Sequence, residues 1–168
     1  MDRSEQATLW RSRSPAETRA LARGLAGALG AEGLVVSLVG ALGAGKTEFA
    51  KGMAEGLGLD SALLASPTFT IAQELPLPAL PDAPRRLVHA DCYRLAAPEE
   101  LEAAGLADWL EPGTALVAEW GDRFPEALGR ERLEVTLREG DDGSREISAH
   151  AFGRAAALAL ARWRERCP

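Results

Sequence analysis

Residues 33–58 read GLVVSLVGALGAGKTEFAKGMAEGLG. The run 34–39 (LVVSLV) is short and mostly apolar, the pattern of a strand buried on both faces of a parallel sheet. Beyond GALGAGKT (40–47), Phe49, Met53 and Leu57 recur every four residues, so 48–58 reads as a helix with Gly56 and Gly58 as its C-terminal stops. Gly40, Gly45, Lys46 and Thr47 complete G-x-x-x-x-G-K-T between that strand and that helix. In this setting consecutive backbone N–H groups face a phosphate, and the helix N-terminus adds its partial positive charge. Lys46 is expected to reach the β and γ phosphates, with the Thr47 hydroxyl on Mg2+. At this chain's own residue frequencies the pattern arises by chance only about 0.002 times, which argues against a mere glycine turn.

Outward from this unit, residues 14–29 open with Ser14, Pro15 and, three residues after the serine, Glu17, the signature of a capped helix start. Leu21, Leu25 and Leu29 give that helix an apolar face, and Gly33 is read as closing it. Ser14 and Thr18 are capping residues on this reading, with ligand contact as the alternative. Downstream, TIAQEL (70–75) and RLVHAD (86–91) read as strands joined by a proline-rich loop over 76–84, too short for a crossover helix and therefore antiparallel. A short helix (PEELEAAGL, 98–106) and a buried strand (ALVAEW, 115–120) follow. LEVTLRE and REISAHA alternate around EGDDGS as a hairpin, and 153–166 closes the chain as a helix. The expected fold is α/β: a single P-loop NTPase-like domain over 1–168, a mixed sheet with a parallel core and antiparallel hairpins, flanked by helices.

A P-loop needs a carboxylate at the end of a neighbouring strand, because phosphate oxygens and one hydroxyl leave Mg2+ incompletely coordinated. Asp91 ends LVHAD and Glu119 ends ALVAE, so both are candidate metal ligands beside Thr47, and catalytic candidates beside Lys46. The expected nucleotide-binding stretch is Gly43, Ala44, Gly45, Lys46, Thr47 and Glu48. The Asn-Lys-x-Asp element that reads guanine is absent, which favours ATP. Trp120 could stack on the base or cover the phosphates, or else belong to the core. His89, in the same apolar run as Asp91, reads as a packing residue.

Composition narrows the class of function. The chain has 168 residues, 46% hydrophobic and 26% charged, with a net charge of −6 from 25 acids and 19 bases. That balance works against a protein that grips nucleic-acid phosphates directly and leaves any RNA to be reached through a partner. Only Lys46 and Lys51 among the bases are lysines. Cys92 and Cys167 lie far apart, giving no disulfide framework and no C-x-x-C pair, which suits a reducing cytoplasm. Neither a signal peptide nor a bilayer-spanning run is visible.

GALGAGKT, SPTFT (66–70), HADCYRL (89–95) followed by PEELEAAGL, and VAEWGD (117–122) occur in that order. Together they closely resemble the bacterial TsaE (YjeE) family of small P-loop ATPases, over residues 14–148. The resemblance implies a switch-like loop at 66–70 with Thr68 facing the nucleotide, Asp91 and Glu119 as paired acids, and Thr47 with Glu119 on the metal. It also brings Arg145 to the nucleotide. The implied role is ATP binding and hydrolysis in formation of threonylcarbamoyladenosine next to the anticodon of tRNA. The implied partners are the proteins TsaB and TsaD, with tRNA reached through that complex and the isolated chain monomeric. The rival readings are a small-metabolite kinase, for which Arg130, Arg132 and Arg138 would have to form a lid, and a non-hydrolysing nucleotide-sensing module.

Overall fold

The computed structural model describes residues 8–64 and 70–168. Its elements run β1 (Thr8–Ser12), α1 (Pro15–Ala26), β2 (Gly33–Val39), α2 (Lys46–Gly56), β3 (Ala72–Pro76), β4 (Arg86–Asp91), α3 (Pro98–Ala104), α4 (Leu106–Trp109), β5 (Thr114–Glu119), β6 (Arg132–Glu139), β7 (Arg145–Phe152) and α5 (Arg154–Arg166). The strands form one seven-stranded sheet in the order β1-β7-β6-β2-β5-β4-β3. β2 pairs parallel with both β5 and β6, and β5 parallel with β4, while β3–β4, β6–β7 and β1–β7 are antiparallel. This is the P-loop NTPase-like mixed sheet with a parallel core that the sequence pattern implies.

Strand parity splits the core in two. Val36, Leu38, Ala115 and Val117 face α1, α2 and α5, where Phe49, Met53, Leu25 and Trp163 pack. Val35, Leu116 and Ala118 face α3 and α4 across Leu101, Leu106 and Trp109. On the first face the rings of Trp10 and Trp163 stack at 4.0 Å, and Phe49 meets Trp163 edge-on at 5.9 Å. The Trp163 indole donates to Leu21 O at 2.9 Å and that of Trp10 to Cys167 O at 2.7 Å, so the polar edge of each buried ring is satisfied. These contacts tie β1, α1 and α5 together.

Several local expectations change. The first helix ends at Ala26 with Gly27 as its cap, and Gly33 opens β2 instead of closing the helix. Ser14 does cap α1, its Oγ accepting from Glu17 N at 3.1 Å, while Glu17 Oε2 accepts from Arg13 N at 2.6 Å. In place of one helix over 98–106 there are two short ones, α3 and α4, the second running on to Trp109, broken where Gly105 adopts φ 123°. Gly56 is the last residue of α2, in keeping with its reading as a stop, and Gly58, with φ 92°, is the residue in the left-handed conformation beyond the helix. β1 was not anticipated: TLWRS is extended because β7 pairs with it, Trp10 opposite Ile147.

Candidate functional site

β2 delivers the chain to Gly40 at the C-terminal edge of the parallel strands. A side chain there would run into Leu137 O of β6 at 2.5 Å, so the turn out of the sheet needs glycine. Gly45, with φ 107°, caps α2 without a side-chain bond, which leaves the helix N-terminus open to a ligand. Lys46 is the first residue of that helix and is only 5% exposed. Its Nζ donates to Gly40 O at 2.7 Å and to Ala41 O at 2.8 Å, and lies 4.1 Å from the centre of the Trp120 ring. Burial lowers the Lys46 pKa, and the negative charges of Glu119, Asp91 and Asp122 only partly oppose it.

Glu119 ends β5 directly beside both neighbouring strands, in register with Leu38 of β2 and Asp91 of β4. The Thr47 hydroxyl donates to Glu119 Oε1 at 2.9 Å. The other oxygen, Oε2, lies 2.5 Å from His89 Nε2. Burial pushes the Glu119 carboxyl upward, but the bonds from His89 and Thr47 and the charge of Lys46 outweigh it and hold the group below the ordinary glutamate value. Asp91 Oδ1 accepts from Tyr93 N at 2.9 Å. Lys46, Thr47, Asp91, Glu119, Tyr93 and Trp120 line a cleft of about 430 Å³, within the usual range for small-ligand sites. Tyr93 is half-exposed and tilts against Trp120, ring centres 5.0 Å apart.

A second cleft of about 230 Å³ lies on the other side of the glycine loop, bounded by Ser14, Thr18, Gly43, Gly45, Glu48 and Arg145. Arg145 donates to Gly43 O at 3.3 Å, so the hairpin does bring this arginine to the loop. It is an occupant of the second cleft's wall and does not line the first. Glu48 borders both clefts, its carboxylate engaged by Arg19 at 2.6 Å and Lys51 at 3.4 Å. Thr18 bonds Ser12 at 2.7 Å, a buried hydroxyl pair under the same cleft. Ala44 contributes backbone to the loop and buries its methyl in the core. Thr68 lies outside the described residues, as do Ser66, Pro67 and Phe69 of its loop.

His89 is buried, as its place in an apolar run implies, and it also touches Glu119. The signal was parity: once β4 and β5 pair in register, His89, Asp91, Val117 and Glu119 share the α2 face of the sheet. The arginines considered as a kinase lid do not assemble one. Arg132 bonds Glu134 and covers the Phe152 ring at 3.9 Å, and Arg138 lies within β6.

The Thr47 hydroxyl and the Asp91 and Glu119 carboxylates offer oxygen ligands beside the glycine loop, which suits a hard cation such as Mg2+. Among the described residues no group of three or more His, Cys, Asp or Glu forms a metal cage.

A parallel-cored sheet, a glycine loop opening onto α2, and a buried lysine followed by a threonine bonded to a strand-end glutamate define the chain's class as P-loop NTPase-like. Within that class the chain belongs to the TsaE family, described as threonylcarbamoyl adenosine biosynthesis protein TsaE, which matches residues 12–147. The tRNA threonylcarbamoyladenosine biosynthesis protein TsaE of Bacillus subtilis (strain 168) is 40% identical over 144 residues, 86% of this chain and 85% of that protein. Its counterpart of the same name in Streptomyces coelicolor is 43% identical over 120 residues, covering 71% of this chain and 77% of the relative. The crystal structure of Bacillus subtilis YdiB superposes with a TM-score of 0.74 at 32% identity, covering 97% of each chain. The resemblance carried by GALGAGKT, HADCYRL and VAEWGD is thus borne out. Among the described residues no helix is long and apolar enough to cross a membrane.

Proposed function

We propose that this chain binds ATP with Mg2+ and hydrolyses it as the ATPase subunit in threonylcarbamoylation of tRNA, in the cytoplasm, together with TsaB and TsaD. The observation that carries the reading is the Thr47–Glu119 hydrogen bond at the mouth of α2, with Lys46 poised on the loop carbonyls beside it. The triphosphate lies along the glycine loop on backbone N–H groups, and Lys46 exchanges Gly40 O and Ala41 O for phosphate oxygens. Gly43, Gly45 and Glu48 border both clefts, so one nucleotide can set its phosphates beside Lys46 and its base toward Ser14, Thr18 and Arg145. Thr47, Glu119 and Asp91 are the residues that would hold Mg2+, which supplies charge neutralisation at the β and γ phosphates when bound. Glu119, kept ionised by its partners, orients the attacking water, and Trp120 with Tyr93 walls the cleft against solvent.

Titration calorimetry and a phosphate-release assay test this on the monomeric chain and on the chain reconstituted with TsaB and TsaD. Lys46→Ala should fold normally and lose ATP binding. Glu119→Ala and Asp91→Ala should bind ATP while losing about 100-fold or more in turnover. A folded Lys46→Ala with undiminished ATP affinity refutes the P-loop assignment. Binding without turnover in the reconstituted complex turns the reading to a nucleotide-sensing module, and phosphate transfer to a small acceptor turns it to a kinase.

A further inference from the structure

His89 is fully buried in the middle of β4, paired with Val117 of β5 on one side and Gln73 of β3 on the other. A polar ring in such a place costs stability unless it is hydrogen-bonded. Its Nε2 lies 2.5 Å from Glu119 Oε2, and its Nδ1 has no partner among the described residues. The opposing Gln73 directs its amide nitrogen to Leu63 O at 2.7 Å. All the polar compensation for burying this ring therefore comes through Glu119. A leucine would fill the same space beside Val117 without an unpaired nitrogen, so packing alone does not account for a histidine here.

Glu119 is anchored at both oxygens by different elements, Oε1 by Thr47 of α2 and Oε2 by His89 of β4. A carboxylate held at one oxygen still turns about its last torsion, whose energy profile is broad. The second anchor removes that freedom. We propose that His89 is a positioning residue for Glu119: its Nε2–H fixes the plane of the carboxylate that faces the glycine loop, so that the group meets the reacting water in one orientation. This rests on the ATPase reading for its catalytic consequence, while the placement of the ring proton stands independently of it. His89 touches neither nucleotide nor water on this account and acts only through Glu119.

The test has a catalytic and a spectroscopic arm. His89→Leu should still fold and unfold cooperatively, bind ATP with unchanged affinity, and lose about 10–100-fold in turnover, the scale for partners that orient a ligand or catalytic group. His89→Gln, whose amide nitrogen reaches about as far along the side chain as imidazole Nε2, should recover most of that loss. In the ligand-free protein with 15N-labelled histidine, His89 should show a protected Nε2–H proton that disappears in Glu119→Ala. His150 is exposed and serves as the reference ring. Full turnover in folded His89→Leu, or a glutamine variant no better than leucine, overturns the proposal. So does a His89 ring protonated on Nδ1 alone, or an Nε2–H signal indifferent to Glu119→Ala. If the leucine variant does not fold, the glutamine variant and the ring proton decide. A wild-type chain that binds no ATP refutes the ATPase reading, and the ring proton then decides the placement by itself.

Discussion

Replacing Gly52 by alanine should destabilise the protein, although alanine is the better helix former. Gly52 sits in the interior of α2, against α1. A methyl group there would lie 2.5 Å from Arg19 O and 2.7 Å from both Arg19 Cα and Ala22 Cβ. Two of these three atoms are backbone, so relief requires α1 and α2 to separate. Overpacking of this kind costs about 1–3 kcal/mol, and an unyielding backbone puts the site toward ~3. The gain in helix propensity is about 1 kcal/mol. The net loss is ~2 kcal/mol, or about 4–8 °C in Tm for a chain of this size.

Gly24 supplies the matched control, because it lies in the interior of α1 and alanine there meets chiefly the Cys167 sulfur. That sulfur ends a side chain beyond the end of α5 and can turn aside about χ1 while the Cys167 carbonyl keeps its bond from Trp10. Gly24→Ala should therefore fall between no change and a gain of about 1 kcal/mol. Thermal and urea unfolding of the two variants beside the parent measures the contrast. A Gly52→Ala protein as stable as the parent, or Gly24→Ala destabilised as much as Gly52→Ala, refutes the argument that backbone contact between α1 and α2 is what requires glycine.

Three further outcomes follow from the site. Glu119 is held below the ordinary value of 4.5, so its stabilising contribution is complete above that pH and is lost as pH falls through its lowered value. The Tm difference between the parent and Glu119→Gln should accordingly be constant near neutrality and collapse in acid, and a difference unchanged by acid would count against the pairing. The Cys92 thiol is pushed up to about 12, first by burial and then by the charge of Asp91, which leaves about one thiolate in 10,000 at pH 8. Iodoacetamide should label Cys167 in the native protein and Cys92 only after denaturation, as mass spectrometry of the peptides will record. Lys46 Nζ sits over the Trp120 ring, so ATP that draws the lysine away should change tryptophan emission in the parent but not in Trp120→Phe. An equal change in both would assign the signal to Trp10, Trp109 or Trp163.

The parts of this fold that were legible in sequence are those set by local chemistry. An apolar run, a glycine loop and a four-residue apolar repeat suffice for β2, the loop and α2, because each depends on neighbours in the chain. Asp91 and Glu119 could be placed at strand ends for the same reason, and the register that sets them side by side followed once β4 and β5 lay parallel. β1 was illegible because five residues with one buried tryptophan become a strand only through β7, more than 130 residues away. Gly56 does end α2, and its lack of a side chain has a second role that the sequence does not show: a methyl there would meet Ala26 Cβ at 2.6 Å. The contact of His89 with Glu119 crosses 30 residues, and nothing local to either residue announces it.

Backbone strain gives a further handle on the site. Only two non-glycine residues among those described have positive φ, Asp82 at 56° and Trp120 at 59°. Aspartate visits this region readily, and Asp82 lies in an exposed turn of the proline-rich loop. A bulky aromatic does not, and the left-handed conformation costs it about 1–2 kcal/mol. Glycine would remove that cost at Trp120 and would also remove the ring. The turn is held by Trp120 N donating to Leu38 O at 2.9 Å, and by Gly121, where a side chain would collide with Ser37. Its effect is to end β5 immediately after Glu119 and swing the indole back over Lys46 and against Tyr93. One strained residue thus couples the strand-end carboxylate, the loop lysine and the wall of the cleft. The ring packs against the second core cluster as well as the lysine, so the strained turn sets it at the boundary between that core and the cleft.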